Sequence, residues 1–309
     1  MQIKKPKFWD IKNITLLSFI LIPFSIIVYF YNLIKFKPKK LQKFQIPIIC
    51  VGNIYIGGTG KTPISIEIYK MLKSIGKKPG IIKKYYKYLR DENKLISDKG
   101  KIYLNENRSL AIKKLIGHGD NIAILDDGLQ ENIINYDLSI VCFNQKQWIG
   151  NGFIIPSGPL RESFSSIKRF DCIMINGKKN KQIEKKIYSI NPNINIFYFN
   201  FKLEKIFKIK NKKIIPFAGI GNPENFFDLL KKERLNIVKS YSFPDHYNFS
   251  RNDLNELKKQ SRIHNATLVT TEKDYQRLKI NERKKIICLK IKTILNNKKN
   301  FLKVIKKII

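Results

Sequence analysis

The stretch that most constrains the fold of this chain is residues 46–63, IPIICVGNIYIGGTGKTP. An unbroken apolar run over residues 46–51 predicts a buried strand. A glycine-rich turn follows, and Lys61 and Thr62 then open a helical pattern with apolar residues on one side. A strand, a glycine-rich loop and Gly-Lys-Thr at a helix start form the arrangement that cradles phosphate in nucleotide-binding proteins. We therefore predict an α/β fold organised around a phosphate-binding loop.

The pattern of this loop assigns a role to each part of it. Backbone N–H groups close around phosphate oxygens, Lys61 reaches the β- and γ-phosphates, and the Thr62 hydroxyl holds Mg²⁺. The strict motif has glycine where Tyr55 stands, so an ordinary glycine-rich turn is the alternative. The predicted nucleotide-binding residues are Gly57, Gly58, Thr59, Gly60, Lys61 and Thr62.

A second strand pattern ends in two carboxylates. Residues 121–130, NIAILDDGLQ, predict an apolar strand that ends at Asp126 and Asp127, and Gly128 begins a turn. Ligands of open α/β sheets bind beyond the carboxyl ends of parallel strands, and Mg²⁺ prefers carboxylates, water and phosphate oxygens. We therefore expect these two acids to serve Mg²⁺, with a merely hydrated strand end as the alternative.

The N-terminal region contains a long apolar segment. Residues 13–34 carry no charged side chain, and lysines flank them on both sides. Roughly 20 apolar residues can cross the ~30 Å hydrocarbon core of a bilayer. We therefore expect a membrane anchor helix within residues 1–36, kinked at Pro23, which either spans the bilayer or lies in its interface. An interior helix of a soluble protein is the alternative.

The rest of the chain predicts two α/β domains, for which 309 residues are sufficient. A charged segment at residues 202–213 marks a change of pattern, so we place the domains at residues 37–205 and 206–309. Residues 82–101 are polar and irregular, and we expect a loop there. That loop carries the adjacent acids Asp91 and Glu92.

The net charge of +36, from 60 Lys and Arg against 24 Asp and Glu, has three interpretations. Abundant Lys, Ile and Asn are typical of an AT-rich genome. A cationic protein also attracts anionic membranes or lipids, or nucleic acid. The lysines are not concentrated in one block with interleaved aromatic residues, so we expect no nucleic-acid partner. The four cysteines form no C-x-x-C pair, which argues against a zinc site or a disulfide framework.

Six motifs, taken together and in order, resemble the tetraacyldisaccharide 4′-kinase family, the lipid A 4′-kinases of Gram-negative bacteria. With the N-terminal apolar segment they cover nearly the whole chain, and the late glycines of the phosphate loop are the usual form in this family. The motifs are VGNIYIGGTGKTP (51–63), ILDDGLQ (124–130), GNGFIIPSGPLRE (150–162), AGIGNPENFF (218–227), FPDHYNF (243–249) and TTEKD (270–274).

The resemblance implies two Rossmann-like α/β/α lobes of the P-loop type, preceded by an apolar membrane-associated helix at the cytoplasmic face of the inner membrane. It implies ATP and Mg²⁺ as cofactors. The reaction would transfer the γ-phosphate to the 4′-hydroxyl of an acylated glucosamine disaccharide 1-phosphate and form lipid IVA. Residues 37–205 would then be the kinase domain. The main alternative is another P-loop ATPase or small-molecule kinase at the membrane, and a nucleic-acid-binding membrane protein is a third.

The site residues of the family can be matched to this chain by position. His246 matches the histidine that partners a catalytic aspartate in the family, and Lys61 matches the phosphate-binding lysine. Thr62 matches the hydroxyl residue of the family, and Asp126 and Asp127 match its paired metal-side acids. The remaining matches are Gln130 at the end of its motif, and Arg161 and Glu162 in the Pro-Leu-Arg-Glu loop, with Glu162 grouped among the metal-side residues.

The catalytic aspartate lies where this chain departs most from the family pattern. The family usually has Ser-Arg-Gly-Tyr-Gly followed by Gly-Asp-Glu-Pro, whereas residues 83–87 read KKYYK and residues 90–93 read RDEN. Only the two acids match. The resemblance therefore implies that Asp91 is the general base, with Glu92 beside it and His246 as its partner on the opposite lobe.

Overall fold

The computed structural model describes residues 6–36, 40–86 and 90–309, and the side chains of Arg90 and Asp91 are outside that description. The helices are α1 (Leu16–Ile20), α2 (Ile22–Lys35), α3 (Lys61–Ser74), α4 (Arg90–Ser97), α5 (Arg108–Gly117), α6 (Lys181–Tyr188), α7 (Pro223–Lys232), α8 (Arg251–Ile263), α9 (Glu272–Arg277) and α10 (Lys298–Lys306). The strands are β1 (Ile48–Gly52), β2 (Pro79–Lys84), β3 (Ile102–Asn105), β4 (Ile122–Asp126), β5 (Leu138–Asn144), β6 (Cys172–Asn176), β7 (Asn195–Leu203), β8 (Lys213–Ala218), β9 (Asn236–Ile237), β10 (Tyr241–Ser242), β11 (Thr267–Thr271), β12 (Ile286–Leu289) and β13 (Ile291–Leu295).

The larger sheet has the strand order β13-β7-β6-β5-β1-β4-β2-β3. Its pairs from β7 to β3 are parallel. Strand β1 is buried along its whole length, as expected for a central strand of a parallel sheet whose faces are both covered. Val51 of β1 pairs with Asp126 of β4, so the loop after β1 and the acids after β4 emerge at the same sheet edge. The predicted α/β fold with a parallel sheet is confirmed.

The smaller sheet has the order β10-β8-β11-β12, with β9 also paired to β8, and all of these pairs are parallel. It has its own core, in which Phe217 and Leu268 are almost completely buried. The chain divides into two compact units. The larger unit comprises Lys5–Tyr85, Lys99–Asn200 and Leu295–Ile309, and the smaller comprises mainly Tyr86–Asp98 and Phe201–Ile294.

The prediction of a loop at residues 82–101 is wrong, because strand β2 reaches Lys84 and helix α4 then occupies Arg90–Ser97. The segment is strongly charged, but Leu95 and Ile96 are buried and give the short helix an apolar side. Helix α4 lies in the smaller unit with His246. The expectation that Asp91 and His246 belong to opposite lobes is therefore wrong as well.

The single apolar anchor helix predicted at the N-terminus is also not found. The segment forms α1 and α2, which are separated at Leu21, because Pro23 has no N–H to donate to the preceding turn. Helix α2 has 14 residues, which corresponds to about 21 Å of helix, against the ~30 Å of a bilayer core. Within residues 6–36, 40–86 and 90–309, no helix is both long and apolar enough to span a membrane.

Helices α1 and α2 reverse the usual distribution of polar and apolar side chains. Ser18 and Ser25 are buried, and the Ser25 hydroxyl donates to the Ile154 carbonyl at 2.8 Å. The Asn32 amide donates to the Arg161 carbonyl at 2.8 Å. The side chains that point to solvent are the large apolar ones, among them Leu16, Leu17, Phe19, Ile20, Phe24, Ile26, Ile27, Phe30, Leu33 and Ile34.

Candidate phosphate-binding site

The glycine-rich loop between β1 and α3 is held in shape by one buried side chain. The Asn53 amide donates to the carbonyl oxygens of Tyr55 at 2.5 Å and Gly57 at 3.3 Å, and to the Thr59 hydroxyl at 3.1 Å. Gly60 precedes the first residue of α3 and has a φ of 97°, a left-handed conformation that favours glycine. The loop therefore leads directly into the helix N-terminus, where unpaired backbone N–H groups attract anions.

Asp126 is a fully buried anion at the end of β4. Its carboxylate accepts hydrogen bonds from the Thr62 hydroxyl at 2.9 Å and the Ser65 hydroxyl at 3.0 Å. Lys83 Nζ lies 2.7 Å from Asp126 Oδ2, and the lysine is buried too. Asp126 thus fixes the first turn of α3 to the neighbouring strand and orients the Thr62 hydroxyl.

Asp127 is the more accessible of the two acids, and it faces cations. Its Oδ1 lies 3.4 Å from Arg161 Nη1 and 3.7 Å from Lys61 Nζ. Burial would raise the pKa of Asp127, but the positive charges of Lys61, Arg161, Lys83 and Arg108 outweigh it and lower the pKa below its usual value. The carboxylate is therefore ionised at neutral pH, next to the lysine predicted to contact phosphate.

Gln130 and Arg161 connect the second and third motifs to the loop. Arg161 Nη1 donates to Gln130 Oε1 at 2.9 Å, and Gln130 Nε2 donates to the Asn53 carbonyl at 2.8 Å. The Arg161 N–H also donates to the Ile54 carbonyl at 2.7 Å. Gln130 and Arg161, which are far apart in sequence, therefore fix the backbone at the start of the glycine-rich loop.

Glu162 is not grouped with the other predicted metal-side residues. It is buried and pairs with Arg169, while its Oε1 has no hydrogen-bond partner among the described residues. Burial raises the pKa of Glu162, although Arg169 opposes that effect. In the described part of the chain, no group of three or more His, Cys, Asp or Glu side chains could hold a metal ion.

Two cations at this site were not predicted from the sequence. In the sequence, Lys83 differs from the family turn and has no assigned role, yet in the structure it neutralises Asp126. Arg108 donates to the Asp127 carbonyl at 2.7 Å and pairs with Glu131 at 2.8 Å. A basic residue within an apolar strand is a signal that could have identified Lys83, whereas Arg108 resembles any charged residue at a helix start.

The other predicted catalytic residues lie in the smaller unit. His246 is on the turn after β10 with a φ of 55°, and its N–H donates to the Gly219 carbonyl at 3.1 Å. Glu92 pairs with Lys273 at the start of α9. Asp91 is the second residue of α4, and its side chain is outside the described residues.

This fold and site define a P-loop nucleotide-binding protein: a parallel strand, a glycine-rich loop with Gly-Lys-Thr, and a strand-end acid bonded to the threonine. The family model of tetraacyldisaccharide-1-P 4′-kinase matches residues 17–90 and 85–309. The chain therefore belongs to the tetraacyldisaccharide 4′-kinase family, and it is a kinase. The resemblance inferred from the six motifs is confirmed.

Relatives from several bacteria support this membership. The tetraacyldisaccharide 4′-kinase of Pelagibacter ubique is 42% identical over 305 residues, which cover 97% of this chain and 96% of that protein. The Rickettsia bellii enzyme of the same name is 34% identical over 315 residues, 94% of each chain. The crystal structure of LpxK from Aquifex aeolicus in complex with ATP has a TM-score of 0.72 at 24% identity, covering 95% of this chain and 99% of that one, and shows the same fold.

Proposed function

We propose that the protein transfers the γ-phosphate of ATP to the 4′-hydroxyl of a tetraacyldisaccharide 1-phosphate, which forms lipid IVA in lipid A biosynthesis. The observation that carries this proposal is the convergence of Lys61, Arg161 and Asp127 beside the glycine-rich loop, in a chain of the 4′-kinase family. Phosphoryl transfer to a sugar hydroxyl depends on positioning, charge neutralisation and proton removal. The larger unit of the chain contains the residues for positioning and for charge neutralisation.

Lys61, the loop N–H groups and the N-terminus of α3 would bind the phosphates of ATP. The donor types also fit Mg²⁺: Asp126 holds the Thr62 hydroxyl, the next residue, Asp127, has an ionised carboxylate, and Mg²⁺ takes its other ligands from water and phosphate. When bound, Mg²⁺ would neutralise charge on the phosphate oxygens. Asp126 would orient Thr62, and Arg161 would neutralise further negative charge.

Asp91 would accept the proton of the 4′-hydroxyl, with His246 as its partner. A positioned general base contributes typically ~10²–10⁴ in rate. Two observations support this part of the proposal: the first turn of α4 contains the two matching acids, and α4 and the His246 turn belong to one unit. Both segments of the proposed pair therefore belong to the smaller unit.

We place the enzyme at the cytoplasmic face of the inner membrane, attached through α1 and α2. Their exposed apolar side chains support an interfacial attachment, because contiguous apolar surfaces of this kind commonly mark membrane contacts. The cationic surface would add attraction to anionic lipids. The acylated substrate lies in the same membrane, so attachment there would bring enzyme and acceptor together.

The test is phosphate transfer from γ-labelled ATP to the tetraacylated disaccharide 1-phosphate in mixed micelles, with wild type and Asp91→Ala. We expect acceptor-dependent transfer by wild type and a loss of about 10²-fold or more in the variant. ATP turnover that is independent of the acceptor would instead indicate a P-loop ATPase. Unchanged transfer by Asp91→Ala would remove Asp91 from the mechanism without affecting the assignment of the donor site.

A further inference from the structure

Three of the six motifs meet at Gly219, at the carboxyl end of β8. The Gly219 carbonyl accepts hydrogen bonds from the His246 N–H at 3.1 Å and from Arg277 Nη1 at 2.6 Å. A Cβ on Gly219 would lie 3.0 Å from Tyr247 Cβ and 3.3 Å from Asp274 Oδ1. The absence of a side chain at Gly219 gives the histidine turn and α9 room to approach this closely, so the Thr-Glu-Lys-Asp motif lies beside the proposed partner of the base.

Asp274 and Arg277 form a buried ion pair on α9. Arg277 Nη1 lies 2.7 Å from Asp274 Oδ1, and the two side chains are 7% and 0% exposed. Asp274 Oδ2 accepts from the Thr271 hydroxyl at 2.7 Å. Burial raises the pKa of Asp274, against the effects of Arg277 and of the hydrogen bond from Thr271. The Nη1 end of the guanidinium is therefore held by two acceptors, the Asp274 carboxylate and the Gly219 carbonyl.

The same guanidinium contacts the ring of His246, with Arg277 Nη2 3.3 Å from His246 Nδ1. Arginine has only hydrogen-bond donors, so Nδ1 must be the acceptor in this contact. In a neutral imidazole the proton is then on Nε2. A proton on Nδ1 would point at a guanidinium hydrogen, so this geometry selects one tautomer.

Helix α9 also contacts α4, the helix that contains the proposed base. Lys273 pairs with Glu92, the neighbour of Asp91. The Gln276 amide donates to the Asp98 carboxylate at 3.1 Å. One short helix therefore contacts both the segment that contains the proposed base and the ring of its proposed partner.

We propose that Arg277, oriented by Asp274, is a positioning residue that fixes His246 in the Nε2–H tautomer, and that this is the role of the Thr-Glu-Lys-Asp motif. The proposal deepens the proposed function, on which the catalytic use of His246 rests. An Nε2–H can donate to a carboxylate, and would orient Asp91 to accept the substrate proton. The opposite tautomer would present a lone pair to that carboxylate.

The direct test is ¹⁵N NMR of the histidine rings in the full-length protein in detergent, with histidine labelled at both ring nitrogens. The chain has three histidines, so His246→Gln assigns the signal. We expect a protonated Nε2 and an unprotonated Nδ1 for His246 in wild type. In Arg277→Met we expect the two signals to move toward each other, because both tautomers become populated.

Arg283→Met is the matched control. Arg283 lies in the same unit and donates through Nε to the Leu278 carbonyl at 3.0 Å, and its guanidinium carbon stacks 4.8 Å from the Tyr275 ring centre. Its loss should leave the His246 signals unchanged. A change of equal size in both variants, or a protonated Nδ1 in wild type, would overturn the proposal.

Kinetics give a second readout. Loss of a group that orients a functional histidine typically lowers activity about 10- to 100-fold. We expect that loss in kcat for Arg277→Met with the KM for ATP unchanged, and no further loss when Arg277→Met is added to His246→Gln. Equal losses in both backgrounds would contradict action through His246.

Absence of phosphate transfer by wild type would refute the proposed function, whereas the NMR result would still test the tautomer.

Discussion

Lys83 Nζ lies 2.7 Å from Asp126 Oδ2, and both side chains are almost completely withdrawn from solvent. Strands β2 and β4 are parallel neighbours in which Lys83 pairs directly with Asp126. The lysine therefore neutralises the acid that holds Thr62, which leaves Asp127 as the accessible carboxylate of the pair. A buried charge and its partner are strongly coupled, because either one alone has lost its water without compensation.

We expect Lys83→Met to lower the free energy of unfolding by about 3–5 kcal/mol, because it leaves Asp126 as an uncompensated buried charge. Adding Asp126→Asn should recover much of that loss, since the double variant contains no unpaired ion. Urea unfolding of the two single variants and the double variant measures the coupling. Strictly additive losses would show that the two charges do not stabilise each other.

Lys61→Ala should reduce phosphate transfer by about 10²- to 10³-fold, because it removes a fixed positive charge from the transition state. Lys70→Ala is the control, since Lys70 lies on the exposed side of the same helix. Initial rates with labelled ATP measure both variants. Near wild-type turnover by Lys61→Ala would refute the assignment of the loop.

Glu162→Gln should change how stability depends on pH. Burial raises the pKa of Glu162 in the folded state, above the value of about 4.3 expected in the unfolded chain. The contribution of Glu162 to the free energy of unfolding is fully present below that value, and it is lost as pH rises through the folded-state pKa. The neutral variant has no such loss, so it should match wild type near pH 4 and exceed it near pH 7.5.

Urea midpoints at the two pH values measure the effect. Glu106→Gln serves as the control, because Glu106 is exposed. A Glu162→Gln variant that is less stable than wild type at neutral pH would show that the pair with Arg169 outweighs the cost of burial.

Ile27→Gln and Phe30→Gln should weaken attachment to anionic vesicles. These side chains are 67% and 58% exposed on α2, and burying a large apolar side chain contributes about 1.5–3 kcal/mol. We expect the bound fraction in a flotation assay to fall by about tenfold for each substitution. Ile280→Gln removes an apolar side chain that is 87% exposed in the smaller unit, and it should leave binding unchanged. Equal binding by all variants would place the attachment elsewhere.

The glycine-rich loop after β1 and the acids after β4 were predictable in position, because each consists of a strand pattern and a turn that are contiguous in sequence. The helix at residues 90–97 was missed because Leu95 and Ile96 are too few to establish a helical period in a charged segment. The sequence correctly indicated that the N-terminal segment is apolar, but it did not indicate which side of the segment faces the protein. Sequence could not reveal that its serines are buried and its apolar side chains are exposed.

The sequence alone determined the fold class, the position of the glycine-rich loop and the family, because these depend on local periodicity, short spacings and the order of the motifs. Only the tertiary structure assigned Lys83 to Asp126, which is 43 residues away, and Arg277 to His246, which is 31 residues away. The reason is that the partner of a buried charge or a ring nitrogen depends on which strands and turns become neighbours. No local window of the chain contains that information.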